Sequence, residues 1–449
     1  MKPTGIVFFP AFDWGISPTH PEREERLLYT RDQLFEEGIM DLPQIVEYQP
    51  RMANDRDIAR THFCIPGVAD QATDAHRISC GGALTIADAV MNAQIKNGFA
   101  LVRPPGHHAM RVAHGNRGFC NINNEAIMVD YLRYHYGLKK IAIVDTDVHH
   151  GDGTQDIFWH DPDVLFISFH QDGRTLYPGS GFVQEIGGPL AQCSTINIPL
   201  PPGTGDQGIL YVLDNLVLPI LQDFKPDLIV NSAGQDNHYT DPLANMQFTA
   251  QGYAELNRRL APDIAVLEGG YSVETALPYI NMGIIMAMAG ISYSNLYEPD
   301  YKGHRFEKQK AGSSIKMTVE RLQNLWQIRE ALIDDTRKRQ KEFYQQQKSI
   351  YYDTDGINEQ QLETVRMCPD CMGYHTIDSH ASLHSGDENH VFCISIPLKA
   401  CLRCQGDAWN LYEDRKAKDD VYQALYMQDK VQDRFLRYSV RDGQEISFE

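Results

Sequence analysis

The chain has 449 residues, with 60 acidic against 41 basic side chains and a formal charge of −19. A 42% hydrophobic and 22% charged composition excludes a disordered chain. No apolar run approaches the roughly 20 residues of a membrane helix, and the acidic balance disfavours nucleic acid as a general partner.

In chain order, the start MKPTGIVFFPAF holds too short an apolar run for a secretory signal, so a cytoplasmic protein with no membrane partner is expected. Seven short β-rich runs follow: GIVFF (5–9), FALVR (99–103), KIAIVD (140–145), VLFISF (164–169), TINIPL (195–200), DLIVNSA (227–233) and IAVLEGG (264–270). Most are continuously apolar, as in parallel strands buried on both faces. Helical patterns such as 83–98 and 207–224 lie between them, which predicts an α/β domain around a parallel sheet over residues 1–298. Apolar residues at helical spacing from Val319 to Ile333, then the polar tract RKRQKEFYQQQK, predict one long amphipathic helix over 316–348 leaving the core. Its basic tail is read as a solvated face. Residues 299–364 are thus a helical extension and linker, with YYDTDGINEQQ as a polar hinge. A helical pattern is also predicted in the tail, 413–449.

The nine cysteines include two C-x-x-C pairs, Cys368/Cys371 and Cys401/Cys404, which in a chain without an export signal point to metal knuckles. Four thiolates around one zinc would form a closed structural site, a zinc ribbon over 365–412. A thioredoxin-type redox pair lacks its strand–helix context here. His375, His380, His384 and His390, between the knuckles, read as loop residues rather than ligands.

Polar clusters follow the carboxyl ends of the predicted strands: PPGHH, TDVHHGDG, HQDG, GQD and GGY. Ligands of open parallel sheets bind at this edge, so the clusters should converge on one site. Asp147 and His149, two apart in an extended segment, can share a face and hold one divalent ion, with Asp236 best placed as third ligand. His107 and His108 are suited to take a proton from a water and return one to a leaving amine.

RPPGHHA (103–109), GFCNINN (118–124), VDTDVHHGDGTQ (144–155), SAGQD (232–236) and EGGY (268–271), with THPEREERL (19–27), closely resemble the zinc-dependent histone deacetylases. The likeness extends to the bacterial acetylpolyamine and acetoin-utilisation amidohydrolases, and the wording is nearer the class II branch. It implies a three-layer, arginase-like α/β fold over residues 5–290 and a zinc-dependent deacetylase. It makes Asp147, His149 and Asp236 the zinc ligands, with iron as the alternative metal. His107 and His108 become base and acid, polarised by Asp145 and Asp152, and Tyr271 the donor to the substrate carbonyl. Phe119 and Tyr177 become the walls of an acyl-lysine channel, with Gly118 holding the amide and Leu243 beside it. A potassium site is implied at the Asp145 and Ser168 side chains and the Asp147, His149 and Phe169 carbonyls.

The expected substrate is an acetylated protein lysine or a similar acetylated amine. The rival readings are a deacetylase of acetylpolyamines or other small acetylamides, and a scaffold recruiting a partner through the ribbon. Relatives that prefer polyamines have an acidic gate in the loop after the third ligand, whereas this loop reads DNHYTDPLAN. Asp74 reads as a surface carboxylate. A partner for the ribbon and a homo-oligomer are both open readings.

Overall fold

The computed structural model describes residues 2–299, 301, 309–339, 342–418 and 421–448. Its first part is built on an eight-stranded sheet. In chain order the strands are β1 (Thr4–Phe9), β2 (Ile45–Tyr48), β3 (Asn97–Val102), β4 (Ile141–Asp145), β5 (Val164–Gln171), β6 (Thr195–Leu200), β7 (Leu228–Ala233) and β8 (Ile264–Leu267). Across the sheet they run β2-β1-β3-β8-β7-β4-β5-β6, all parallel. Alternate residues of one strand feed separate cores: Ala142 and Val144 pack on one face of the sheet, Ile141 and Ile143 on the other. Both faces carry helices, which explains the continuously apolar strands and makes three layers. The predicted strands are all present. The sequence reading missed β2, a four-residue edge strand with only Ile45 buried.

Past residue 298 the structure departs from expectation. The predicted long helix is two helices, α1 (Gln309–Gln327) and α2 (Arg329–Arg339). Ile315, Val319 and Leu322 of α1 join the core, whereas α2 buries nothing. The polar tract then enters a strand, β9 (Phe343–Tyr352), apart from residues 340–341, which lie outside the described residues. The expected hinge is the turn of a hairpin: β9 pairs antiparallel with β10 (Ile357–Arg366), and the Gly356 N–H closes the turn on the Tyr352 carbonyl at 2.8 Å. The Asp-Gly step there is a hairpin signal.

A seven-stranded sheet continues through β11 (His375–Ser382), β12 (Glu388–Ile396), β13 (Ala424–Asp429), β14 (Arg434–Ser439) and β15 (Gln444–Ser447). One helix, α3 (Leu402–Lys418), crosses between the parallel strands β12 and β13. Among the described residues the tail is therefore not helical beyond Lys418. Pairing against β12 buries every residue of ALYMQD, and this tertiary contact overrides its helical pattern. The cysteine knuckles do meet, as a zinc ribbon requires, but just past the ends of β10 and β12 within this larger sheet, so boundaries at 365 and 412 cut through one unit. Of the intervening histidines, His375, His380 and His390 lie on strands rather than in loops.

The sheet is sandwiched. On one side Tyr374, Ile394, Met427 and Leu436 pack with Cys404, Ala408 and Tyr412 of α3. On the other, Ile377, Val391 and Tyr426 pack against Phe63, Ile65 and Val112 of the first part. Ion pairs reinforce that seam, Arg60 with Asp433 at 2.9 Å, both buried, and the half-buried Lys430 with Asp130 at 2.6 Å. Among the described residues no helix is long and apolar enough to cross a membrane.

Candidate active site

The carboxyl ends of β4, β7 and β8 lie side by side, with Asp145 in register with Ser232 and Ser168 on its two neighbours. Just past β4 the chain turns so that the His149 imidazole Nδ1 lies 3.1 Å from Asp147 Oδ1 and 3.1 Å from Asp236 Oδ2. Backbone N–H groups fix the carboxylates: His149 donates to Asp147 at 2.8 Å, Gly269 to Asp147 at 2.8 Å and Val148 to Asp236 at 2.8 Å. Position 269 must be glycine, because a Cβ there would run into both carboxylates.

The ligand atoms of Asp147, His149 and Asp236 all lie within 4.8 Å of one another. The two carboxylates are fully buried, and among the described residues neither pairs with a lysine or arginine. Two buried carboxylates facing one imidazole hold an excess of negative charge that a dication would neutralise. The strain shows in Asp236, whose carboxyl is pushed up by burial and by Asp147. The donor set therefore fits a catalytic divalent ion.

His107 and His108 lie together, ring centres 4.1 Å apart. Each is held from behind: His107 Nδ1 is 3.1 Å from Asp145 Oδ2, and His108 Nδ1 is 2.8 Å from Asp152 Oδ1. Their environments differ. Burial opposes charge on His107, but Asp147 and then Asp145 outweigh it and raise the imidazole to about 10. Burial, with His107 and Arg117 nearby, pushes His108 well below the usual range. The charge that raises His107 comes first from Asp147, and a dication on that carboxylate would cancel it and leave the imidazole able to accept a proton.

A pocket of about 230 Å³ opens above these groups, lined by His107, His108, His149, Gly118, Phe119, Tyr177, Leu243 and Tyr271 among others. The Phe119 ring stands edge-on to Tyr271 at 5.7 Å, and Tyr177 edge-on to His108 at 5.2 Å. The structure thus gathers the residues expected of the channel. Ser168 stands beside Asp145 across the strands, with its hydroxyl 2.8 Å from His170 Nδ1. Asp74 opens an exposed helix end outside the pocket lining.

The histone deacetylase domain family matches residues 66–284. A probable deacetylase of Archaeoglobus fulgidus is 47% identical over 329 residues, which cover 66% of this chain and 89% of that protein. The chain belongs to the histone deacetylase family. The chloroplastic histone deacetylase 14 of Arabidopsis thaliana is 44% identical over 212 residues, 44% of this chain and 49% of that protein. The crystal structure of the HDA15 HD domain superposes with a TM-score of 0.62 at 25% identity, covering 76% of this chain and 99% of that one. Membership in this family makes the chain a hydrolase of the deacetylase type.

Several residues organise this site through contacts that the sequence does not show. Glu268 Oε2 accepts the Gly106 and His107 N–H groups at 2.8 and 3.0 Å, fixing the PPGHH turn. Asp241 accepts the Tyr271 N–H at 2.7 Å and the Leu243 N–H at 2.9 Å. Arg117 pairs with Asp152 behind His108. The quoted stretches THPEREERL and EGGY contain the Arg26 and Glu268 that meet here, but only the fold shows the contact.

At the cysteine cluster, the Cys368 and Cys401 sulfurs are 4.0 Å apart and all four ligand atoms lie within 4.8 Å. Zinc–thiolate bonds of about 2.3 Å in a tetrahedron put sulfurs roughly 3.8 Å apart. The spacing fits a shared ion and is too long for disulfides. The Cys404 backbone N–H helps lower the Cys401 thiol to about 7, which favours the ligating thiolate.

Proposed function

We propose that the chain is a metal-dependent amidohydrolase that removes the acetyl group from the side-chain amine of acetyl-lysine or a similarly acetylated amine. The observation that carries this reading is that His107, His108, His149 and Tyr271 line one narrow, largely apolar pocket. Asp147, His149 and Asp236 would hold zinc, or iron in its place. When bound, the dication supplies Lewis acidity to the amide carbonyl and to the attacking water.

The protein's own groups do the rest. His107, oriented by Asp145, takes the proton of the attacking water. His108, oriented by Asp152, delivers a proton to the departing amine. The Tyr271 hydroxyl donates to the amide oxygen as charge builds there, and so acts most strongly in the transition state. Phe119 and Tyr177 flank an extended alkyl chain, the Gly118 backbone borders the amide, Leu243 closes one side, and the fit excludes bulk water. Potassium is assigned to Asp145 and Ser168, with the Asp147, His149 and Phe169 carbonyls, where it would brace the loop that carries the ligands. Structural zinc is assigned to Cys368, Cys371, Cys401 and Cys404.

The test is hydrolysis of a fluorogenic acetyl-lysine peptide beside acetylputrescine, with chelation and metal re-addition. Metal-restorable turnover of the peptide supports the reading. Turnover of acetylputrescine alone assigns a small-molecule deacetylase. Turnover of neither assigns a scaffold, with partners recruited through the cysteine-bearing sheet.

A further inference from the structure

The second sheet reaches into the active-site mouth. The β9–β10 turn brings Asp353 into the lining of the 230 Å³ pocket, which it shares with Phe119 and Leu243. The turn is anchored on both sides of this carboxylate. Asp355 accepts the Asn116 N–H at 2.6 Å, Thr354 donates to the Asn116 side chain at 2.8 Å, and Arg117 donates to the Tyr351 carbonyl at 3.2 Å. The hydroxyl of Tyr352, fully buried, lies 2.6 Å from the Val112 carbonyl and 2.8 Å from Glu359 Oε2 and has one proton to donate between them. Gly115 lets the turn approach, since a Cβ there would meet the Asp355 carboxylate.

Asp353 itself is exposed, and its Oδ1 accepts the Gly118 N–H at 2.9 Å and the Tyr177 hydroxyl at 3.1 Å. Both donors belong to the channel wall, and the Tyr177 ring centre is 6.3 Å from that of His149. Asp353 Oδ2 has no hydrogen-bond partner among the described residues. Among the described residues Asp353 is also the sole carboxylate of the pocket lining. Asp241 turns away to the Tyr271 and Leu243 backbone, and Arg117 is paired with Asp152. One free carboxylate oxygen is therefore held at a fixed place on the rim of a channel whose walls are apolar.

Resting on the deacetylase reading above, we infer that Asp353 is a specificity-determining residue that favours acetylated amines carrying a second positive charge next to the scissile amide. The second sheet is in this sense part of the substrate site, and Asp353 lies outside residues 66–284, where the family domain matches. The cation can come from a basic residue beside acetyl-lysine or from a second amine in a small polyamine. Both present the same ammonium to the same carboxylate.

The experiment compares kcat/KM of the full-length protein for acetyl-lysine peptides with lysine, alanine or glutamate next to the acetylated residue, and for N-acetylspermidine. The same set is run with Asp353→Asn and with Asp355→Asn, which alters the turn without changing the pocket charge. Asparagine keeps Oδ1 as an acceptor for the wall contacts and removes only the charge. A ratio of two substrates in one preparation is independent of how much of it is folded. The lysine-to-glutamate ratio should exceed one by roughly fivefold, fall toward one in Asp353→Asn and persist in Asp355→Asn. In the unaltered protein it should also shrink as salt rises from 0.02 to 0.5 M. A ratio unchanged by Asp353→Asn, or a salt-independent one, overturns the inference while leaving the deacetylase reading intact. Absence of turnover on every substrate overturns that reading and this inference with it. The peptide and spermidine arms show which source of the cation the channel takes.

Discussion

The Arg26 guanidinium carbon lies 5.0 Å over the ring of Tyr271, and the same fully buried guanidinium donates to the Gly270 carbonyl at 2.8 Å and to the Glu268 carbonyl. Its charge is balanced by Glu22 at 2.8 Å, which also takes Arg103 at 2.6 Å. One side chain thus ties the first helical turn of the chain to the loop that carries Tyr271. Arg26→Met removes one member of a buried charge cluster, for which a loss of about 3–5 kcal/mol is expected. Thermal denaturation checks the stability loss. The kcat per folded molecule, titrated by a tight-binding inhibitor, should fall as well, because the Tyr271 loop loses its anchor.

Tyr271→Phe keeps the ring packed on Phe119 and under Arg26 and removes only the hydroxyl. If that hydroxyl donates chiefly to the developing oxyanion, kcat should fall roughly 100-fold or more while KM changes little. Steady-state kinetics on the acetyl-lysine peptide decides between this and a packing role, for which kcat and KM would both stay near their starting values.

The active site was legible in the sequence because its residues sit at strand ends. Asp147, Asp236 and Tyr271 each follow a strand whose two buried faces write a continuous apolar run, so the position of the site follows from the sheet. The second sheet was not legible, and β10 shows why. Between Ile357 and Val365 its buried face presents Glu359, Gln361 and Glu363, which contact Tyr352 and Ser379, each other and Lys348, where aliphatic side chains would have written an alternating pattern. A strand whose inward residues are charged shows no hydrophobic alternation, and β9, with FYQQQK, reads as solvated polar chain. Tertiary partners decide such segments, and those partners lie far away in sequence. For the same reason Asp353 read as part of a hinge and not of the site.

The cysteine cluster gives a second metal site with a separable consequence. Metal analysis of the intact protein should return two equivalents of metal per chain, one for the Asp–His–Asp set and one for the four cysteines. Cys368→Ser should lose one equivalent, because three thiolates hold the ion far less tightly. The loss should loosen the start of α3 and lower the thermal midpoint of the second sheet, with metal-dependent hydrolysis still measurable. A single equivalent in the intact protein would refute the structural zinc.

Glu125 provides a pH test of the buried carboxylates beneath the site. Burial pushes its carboxyl from the usual 4.5 up to about 7, and Glu268 beside it is driven up as well. The folded protein therefore holds this proton more tightly than the unfolded chain. The stability it contributes is fully present below about pH 4.5, is lost as pH rises through about 7, and stays flat above that. The shift corresponds to roughly 3 kcal/mol across the window. Glu125→Gln carries a neutral amide at every pH and lacks this dependence. The stability of the original protein relative to the variant should therefore decline between pH 4.5 and 7 and then level off. Denaturation midpoints of the two proteins in matched buffers from pH 4.5 to 8.5 check this. A difference that stays constant across that range would mean that Glu125 is ionised in the folded protein at every pH tested.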